Sequence, residues 1–161
     1  MPLDASLYSA AQLAAAKEIL DAFNGLATAH GVFQPYHAAA IVEQADAESS
    51  FDPRALGDSD TAYGLFQWHR ARAHQILEGT GVDVTTFPSI ADQIEAAQWE
   101  LQHSSYAVTA LPKILAATNA YDASAAACIY WEQAGAPGQP AKRGAGARNW
   151  AAYFEAQALA L

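Results

Sequence analysis

The sequence predicts a mainly α domain with one small extended patch, and three observations carry that prediction. Apolar residues recur at helical spacing through most of the chain, helix start and stop residues flank those stretches, and only residues 54–68 lose the period. The 161 residues suit one domain with a sizeable core, and 52% hydrophobic against 16% charged residues is the balance of a globular chain. We read residues 1–161 as a single unit, with an N-terminal helical segment over 1–34 and a core over 35–161.

Taken in order, Ser9 and Gln12 form a capping-box pattern. The helix they start is predicted to run to Gly31, with Leu13, Ile19, Leu20, Phe23 and Leu26 mostly on one face. Pro35 suits the first turn of a second helix, which carries Ala38, Ile41, Val42 and Ala45 on one stripe and runs to about Ser49. Asp52-Pro53 ends it, because proline disfavours helix at the residue before it. Gly57, Asp58, Ser59 and Asp60 are turn chemistry, and TAYGLFQW predicts short strands. Strand alternation there sends Tyr63, Leu65 and Gln67 one way, and Phe66 and Trp68 the other. Arg70 to Glu78 reads as a short helix stopped by Gly79. Beyond the loop TGVDVTTF and Pro88, Ile90, Ile94, Ala97 and Leu101 mark another. Two further helices are predicted around 111–118 and 124–133, then a Gly/Pro-rich loop, AGAPGQPAKRGAG, and a last helix from about Ala147.

Several function classes are excluded. Binding to nucleic acid needs clustered Lys and Arg, whereas this chain has eight in all and a net charge of -9. No apolar run is long enough to span a membrane, and MPLDASLYSAAQ has neither the basic start nor the apolar run of a secretion signal. Cys128, alone and on the apolar stripe SAAACIYW, reads as an inert buried thiol and not as a nucleophile. The histidines at 30, 37, 69, 74 and 103 lack metal-ligand spacing, and Asp52, Asp58 and Asp60 do not follow the calcium-loop pattern. No metal and no cofactor is expected.

The carboxylates carry the chemistry. Glu43, Asp46, Glu48, Asp52, Asp58 and Asp60 crowd residues 43–60, opposed there only by Arg54. Crowding and an apolar wall disfavour ionisation of the most buried member, which is how a glutamic acid keeps a proton for a leaving oxygen. Glu48, at the helix end beside Ser49, is the candidate proton donor, while Glu43 falls on another side of the helix and reads as solvated or structural. The second carboxylate, as base, nucleophile or charge stabiliser, is expected at Asp58 or Asp60, in the turn that should face Glu48 across the cleft.

The order E-S-x-F-x-P, a Gly-Asp turn and then Y-G-L-F-Q-W resembles the lysozyme-like superfamily. The likeness is closest to the phage tail lysozyme type of peptidoglycan-degrading domain and weaker to lytic transglycosylases. It implies a lysozyme-like fold and a muramidase that hydrolyses the β-1,4 bond between N-acetylmuramic acid and N-acetylglucosamine in glycan strands. On that resemblance Glu48 is the general acid of a Glu-Ser pair with Ser49, and Gly64, Leu65 and Gln67 match a Gly-Leu-x-Gln segment lining the groove, with Tyr63 beside it. The resemblance also puts Asp58, in the Gly-Asp pair, first and Asp60 second as the other carboxylate. AACIYWEQAGAPG resembles a transglycosylase segment whose tyrosine stands near the catalytic glutamate. Tyr130 is the match, although two extra residues precede the glycine and no asparagine follows.

Lys142, Arg143 and Arg148 read as a solvated basic loop. Lytic transglycosylases need no second carboxylate, so Asp58 and Asp60 would then only cap their turn. A wall-binding or structural phage protein without turnover is the non-enzyme alternative; a regulatory helical module leaves residues 58–68 unexplained. An acidic domain gains little from long-range attraction to an anionic wall. The resemblance therefore implies a phage or prophage product, made in the bacterial cytoplasm and carried to the wall by a tail or other assembly.

Overall fold

The protein is seen as a computed structural model that describes residues 3–160; positions 1, 2 and 161, the ends of the predicted unit, lie outside them. Among the described residues there are seven α-helices and two small antiparallel sheets. The helices are α1 Ala10–Phe23, α2 Pro35–Ser49, α3 Arg70–Thr80, α4 Ile90–His103, α5 Ala110–Ala116, α6 Ala120–Ala127 and α7 Gln139–Leu159. Strands β1 Ala27–Thr28 and β2 Gly31–Val32 form a hairpin, and β3 Leu56–Gly57, β4 Ala62–Tyr63 and β5 Trp68–His69 form a sheet in the order β3-β4-β5.

Helix α2 lies at the centre, packed on α1, α6 and α7. Its run Ala38, Ala39, Ala40, Ile41, Val42 is fully buried, and the small side chains let three neighbouring helices pack against it. Aromatic residues fill the two ends of the core. Phe51 and Tyr8 meet Trp150 edge-on at 5.4 and 5.1 Å, and Phe66 packs on Trp131 at 5.0 Å. Two helix starts follow the sequence signals, Ser9 and Gln12 capping α1 reciprocally and Pro35 opening α2, and the structure adds a cap at Ser89 before α4.

Four expectations are corrected. Helix α1 stops at Phe23 and not at Gly31, because the left-handed Gly25 (φ 82°) turns the chain into the β1–β2 hairpin. Helix α3 continues past Gly79, which lies flat against the Trp99 ring, and ends on the left-handed Gly81 (φ 79°). Alternation does not hold through TAYGLFQW, because residues 64–67 form a turn between β4 and β5, and Leu65, Phe66 and Trp68 are all fully buried.

The fourth correction has the most effect on the site. Helix α7 starts at Gln139, with Pro140 in its first turn, so eight of the thirteen residues of the predicted loop are helix. Gly144 and Gly146 are helical there because a side chain at either position would strike the Tyr121 ring or the Glu43 carboxylate. Tertiary contact overrides their weak helix propensity.

Candidate active site

Helix α2 leaves its axis abruptly. Ser50 and Phe51 are both left-handed (φ 51° and 61°), and Phe51 turns inward to Trp150. That exit leaves Glu48, on the last turn, facing a cleft of about 510 Å³. One wall is the small sheet, with Gly57, Asp58, Gln67 and His69; the opposite wall is the segment 132–136, with Gln139 and Arg143 of α7 behind it.

The expectation of an apolar, carboxylate-crowded setting for Glu48 is corrected: Glu43 is the most buried of the crowd, while Glu48 faces a polar cleft beside a guanidinium. Glu48 is held from α7. Its side chain is 19% exposed, and Oε1 accepts a 2.6 Å hydrogen bond from Arg143 Nη2, while Oε2 has no protein partner among the described residues. Arg143 Nη1 donates to Gln44 Oε1 at 2.8 Å, and Gln44 Nε2 donates to Ser124 Oγ at 2.8 Å. Ser124 Oγ returns a 3.0 Å bond to the Arg143 carbonyl. This buried circuit ties α2, α6 and α7 together directly behind Glu48.

The floor is a second circuit. Arg72 of α3 donates to buried Glu100 of α4 through Nε and Nη2 at 2.6 and 2.9 Å, and to Glu132 through Nη1 at 3.2 Å. The indoles of Trp68 and Trp131 both donate to Glu100 Oε2, at 2.9 and 2.8 Å. Glu132 arrives there because α6 runs directly into a single π-turn, Cys128–Glu132, which puts Trp131 and Glu132 inward and Ile129 and Tyr130 outward. Such turns recur at functional sites.

The structure brings together some of the residues that the sequence nominated. Glu48, Asp58 and Gln67 line the same cleft. Asp58 sits on a tip of three consecutive left-handed residues, Asp58, Ser59 and Asp60 (φ 47°, 55° and 66°). Its side chain is 72% exposed, with Oδ2 3.1 Å from His69 Nε2. Gln67 lies against Gly57 and donates through Nε2 to Gly64 O and Ala55 O at 3.0 and 3.2 Å. Ser49 does not face the cleft; its hydroxyl lies 3.0 Å from Ala45 O and 2.9 Å from Leu65 O, pinning the sheet to the end of α2.

The other nominees stand elsewhere. Asp60 is exposed outside the cleft, where its carbonyl accepts from the Tyr63 hydroxyl at 3.2 Å. Tyr63 lines a separate hollow with Arg70, His74 and Asp83. Tyr130 points away, under the Lys113 ammonium at 4.6 Å. Lys142 and Arg148 are exposed as expected, but Arg143 is buried, contrary to the solvated-loop reading: helical spacing with Gly144, Ala147 and Trp150 turns it inward. Cys128 is buried, and burial pushes its thiol up.

Gly64 (φ 74°) is a tight point of the loop. A β-carbon there would collide with Gln93 Oε1, which accepts from Leu65 N at 2.9 Å while Gln93 Nε2 donates to Pro53 O and Pro88 O at 2.8 and 2.9 Å. Gly64→Ala is expected to cost about 2 kcal/mol or more, from left-handed strain and a displaced buried amide. Chemical denaturation measures it, and a loss below about 0.5 kcal/mol would show that the loop yields freely.

Glu43 is also buried, which fits the structural and not the solvated of its two readings, and its carboxyl packs against Gly146. Burial pushes it up to about 8, with Asp46 nearby adding to the effect. Burial also raises Asp46, against the hydrogen bonds donated by the Tyr8 hydroxyl at 2.6 Å and Trp150 Nε1 at 3.2 Å. An acid whose folded value lies above its ordinary 4.5 contributes stability that is full below 4.5 and lost as pH rises through about 8. The melting temperature is therefore expected to fall between pH 5 and pH 9, and Glu43→Gln to flatten that fall. Parallel curves for the two proteins would remove Glu43 as a cause.

Among the described residues no cluster of three or more His, Cys, Asp or Glu is placed to hold a metal ion, and no helix is long and apolar enough to cross a membrane. No curated protein matches the chain significantly. The sequence model of the phage tail lysozyme family, by contrast, matches residues 14–154, which take in the whole cleft from Glu48 to Arg143. With a mainly α lysozyme-like fold and a match over most of its length, the chain belongs to the phage tail lysozyme family.

Proposed function

We propose that the protein is a muramidase that hydrolyses the β-1,4 bond between N-acetylmuramic acid and N-acetylglucosamine, with Glu48 as general acid. The observation that carries this reading is Glu48 itself: a carboxyl at a helix end, with one oxygen held by Arg143 and the other without a protein partner, opening into a polar cleft. A cleft of about 510 Å³ falls in the size range of small-ligand sites. In the reaction, the free oxygen hands its proton to the glycosidic oxygen as the bond breaks. Arg143, already 2.6 Å from the other oxygen, then neutralises the carboxylate left behind.

Asp58, across the cleft, is the candidate base for the attacking water. Its exposure and its contact with His69 favour a second reading, lytic transglycosylase chemistry, in which the substrate's own hydroxyl attacks and Asp58 only shapes the turn. Delivery by a phage tail or similar assembly, from synthesis in the bacterial cytoplasm, belongs to the same proposal and accords with the net charge of -9.

Mass spectrometry of the soluble products from purified peptidoglycan, with wild type and Glu48→Gln, tests the proposal. Reducing-end muropeptides, lost in the variant, are the expected result. Anhydro-muropeptides would move the protein to the transglycosylase reading. No product from several wall types, with the protein folded, would leave a wall-binding or structural role.

A further inference from the structure

Glu132 is a buried carboxylate that the mechanism above does not use. Its side chain is 2% exposed, and it lines the same cleft as Glu48. Oε2 takes one bond, from Arg72 Nη1 at 3.2 Å, and Oε1 is closed off from solvent with no partner among the described residues. Arg143 Nε is the other buried polar side-chain atom without a partner among the described residues, and both residues line the cleft together with Glu48. Orphaned groups of this kind call for an explanation, and a catalytic setting is one that recurs.

Arg72 does not fully compensate the Glu132 charge. It places its two shorter bonds on Glu100, which also draws both indole donors, so Glu132 receives the weakest share of the guanidinium. The other charged or titratable groups around it are Glu48 at the end of α2, Glu100 on α4 and Cys128 on its own turn; Arg143 of α7 enters the cleft on the Glu48 side, and the facing sheet carries Asp58 and His69. We propose that Glu132 is a positioning residue for the chemistry at Glu48: the two carboxyls form one electrostatic pair, and the charge on Glu132 sets the field in which Glu48 exchanges its proton.

Burial pushes Glu132 up to about 7, Arg72 opposes that rise, and the negative charge of Glu48 adds to it. The charge on Glu132 therefore switches near neutrality, in the range where a wall hydrolase would work. By linkage, an effect of Glu48 on Glu132 is matched by an equal effect in return. The role rests on Glu48 being the acid, but the pairing does not, and the experiment has an arm for each.

Carboxyl-carbon NMR of glutamate-labelled full-length protein follows the Glu132 titration in wild type and in Glu48→Gln. The expected result is a wild-type titration drawn out over two coupled steps, and in Glu48→Gln a single step with its midpoint at lower pH. An unmoved midpoint overturns the pairing, whether or not the protein cleaves anything. On soluble glycan strands, Glu132→Gln is expected to lower kcat about tenfold near neutral pH, with KM unchanged. It is also expected to move the alkaline limb of the pH profile to lower pH, and Glu132→Asp to restore part of that shift. A profile of unchanged shape, with near-UV circular dichroism showing an intact fold, would reduce Glu132 to a structural part of the floor and overturn the positioning role. If wild type cleaves nothing, the muramidase proposal fails, and the titration alone then decides the pairing.

Discussion

Glu100→Gln is expected to destabilise the protein by about 3–5 kcal/mol, although it changes only one oxygen to an amide nitrogen. Four donors converge on this carboxylate at 2.6 to 2.9 Å: two from Arg72 and one each from Trp68 and Trp131. An amide keeps one acceptor oxygen and turns two N–H groups toward donors that have nothing to accept them. The guanidinium, 11% exposed, is then left with Glu132 alone. At about 2–4 °C per kcal/mol for a chain of this size, the melting temperature drops by on the order of 10 °C. Trp68→Phe and Trp131→Phe, which each remove one donor and keep an aromatic ring, are expected to cost about 1–2 kcal/mol. Urea denaturation of the three variants tests the hierarchy. A Glu100→Gln loss no larger than that of either tryptophan variant would mean that the floor is not held by its charges.

Glu48→Gln is expected to do the reverse, leaving the fold intact while removing activity. The amide oxygen still accepts from Arg143 Nη2, so the Gln44–Ser124–Arg143 circuit keeps all its members, and the guanidinium's loss of its carboxylate costs about 1–3 kcal/mol. An amide has no proton to give to a leaving oxygen, and positioned general acid catalysis contributes roughly 100- to 10,000-fold. Release of reducing ends from soluble glycan strands is expected to fall by that factor. A variant that keeps more than a tenth of the wild-type rate, with its fold intact, would show that the proton comes from another group, with Glu132 the first to examine.

The helices were legible because their signals are local. The Ser9–Gln12 box and Pro35 at the start of α2 each act within a single turn. Strands of two residues, such as Ala27–Thr28, carry no period and left none to read. The start of α7 was hidden by Gly144 and Gly146, whose reason for being there is a ring and a carboxylate more than twenty residues away in sequence. The site divides in the same way. Glu48, Asp58 and Gln67 share one short segment, and its motif pointed to them. Arg72, Glu100, Glu132 and Arg143 come from four separate stretches, and only the fold joins them to the cleft. Traces were nevertheless present. Glu100 shares a helical stripe with Gln93, Ala97 and Leu101, and Arg143 shares one with Ala147 and Trp150; a charge on an apolar stripe must have a partner somewhere.

The π-turn at Cys128–Glu132 acts as a phase shift of one residue. Up to Ala127 the helix keeps its usual cadence; the extra residue then advances everything downstream by about a third of a turn. With a regular cadence, the faces of Trp131 and Glu132 would rotate away from Glu100 and Arg72, and the segment 132–136 would leave the cleft on a different heading. The far wall of the cleft is thus specified by a counting rule as well as by side-chain chemistry. A substitution in this stretch preserves that count and a deletion breaks it, so the stretch tolerates changes of residue far better than changes of length.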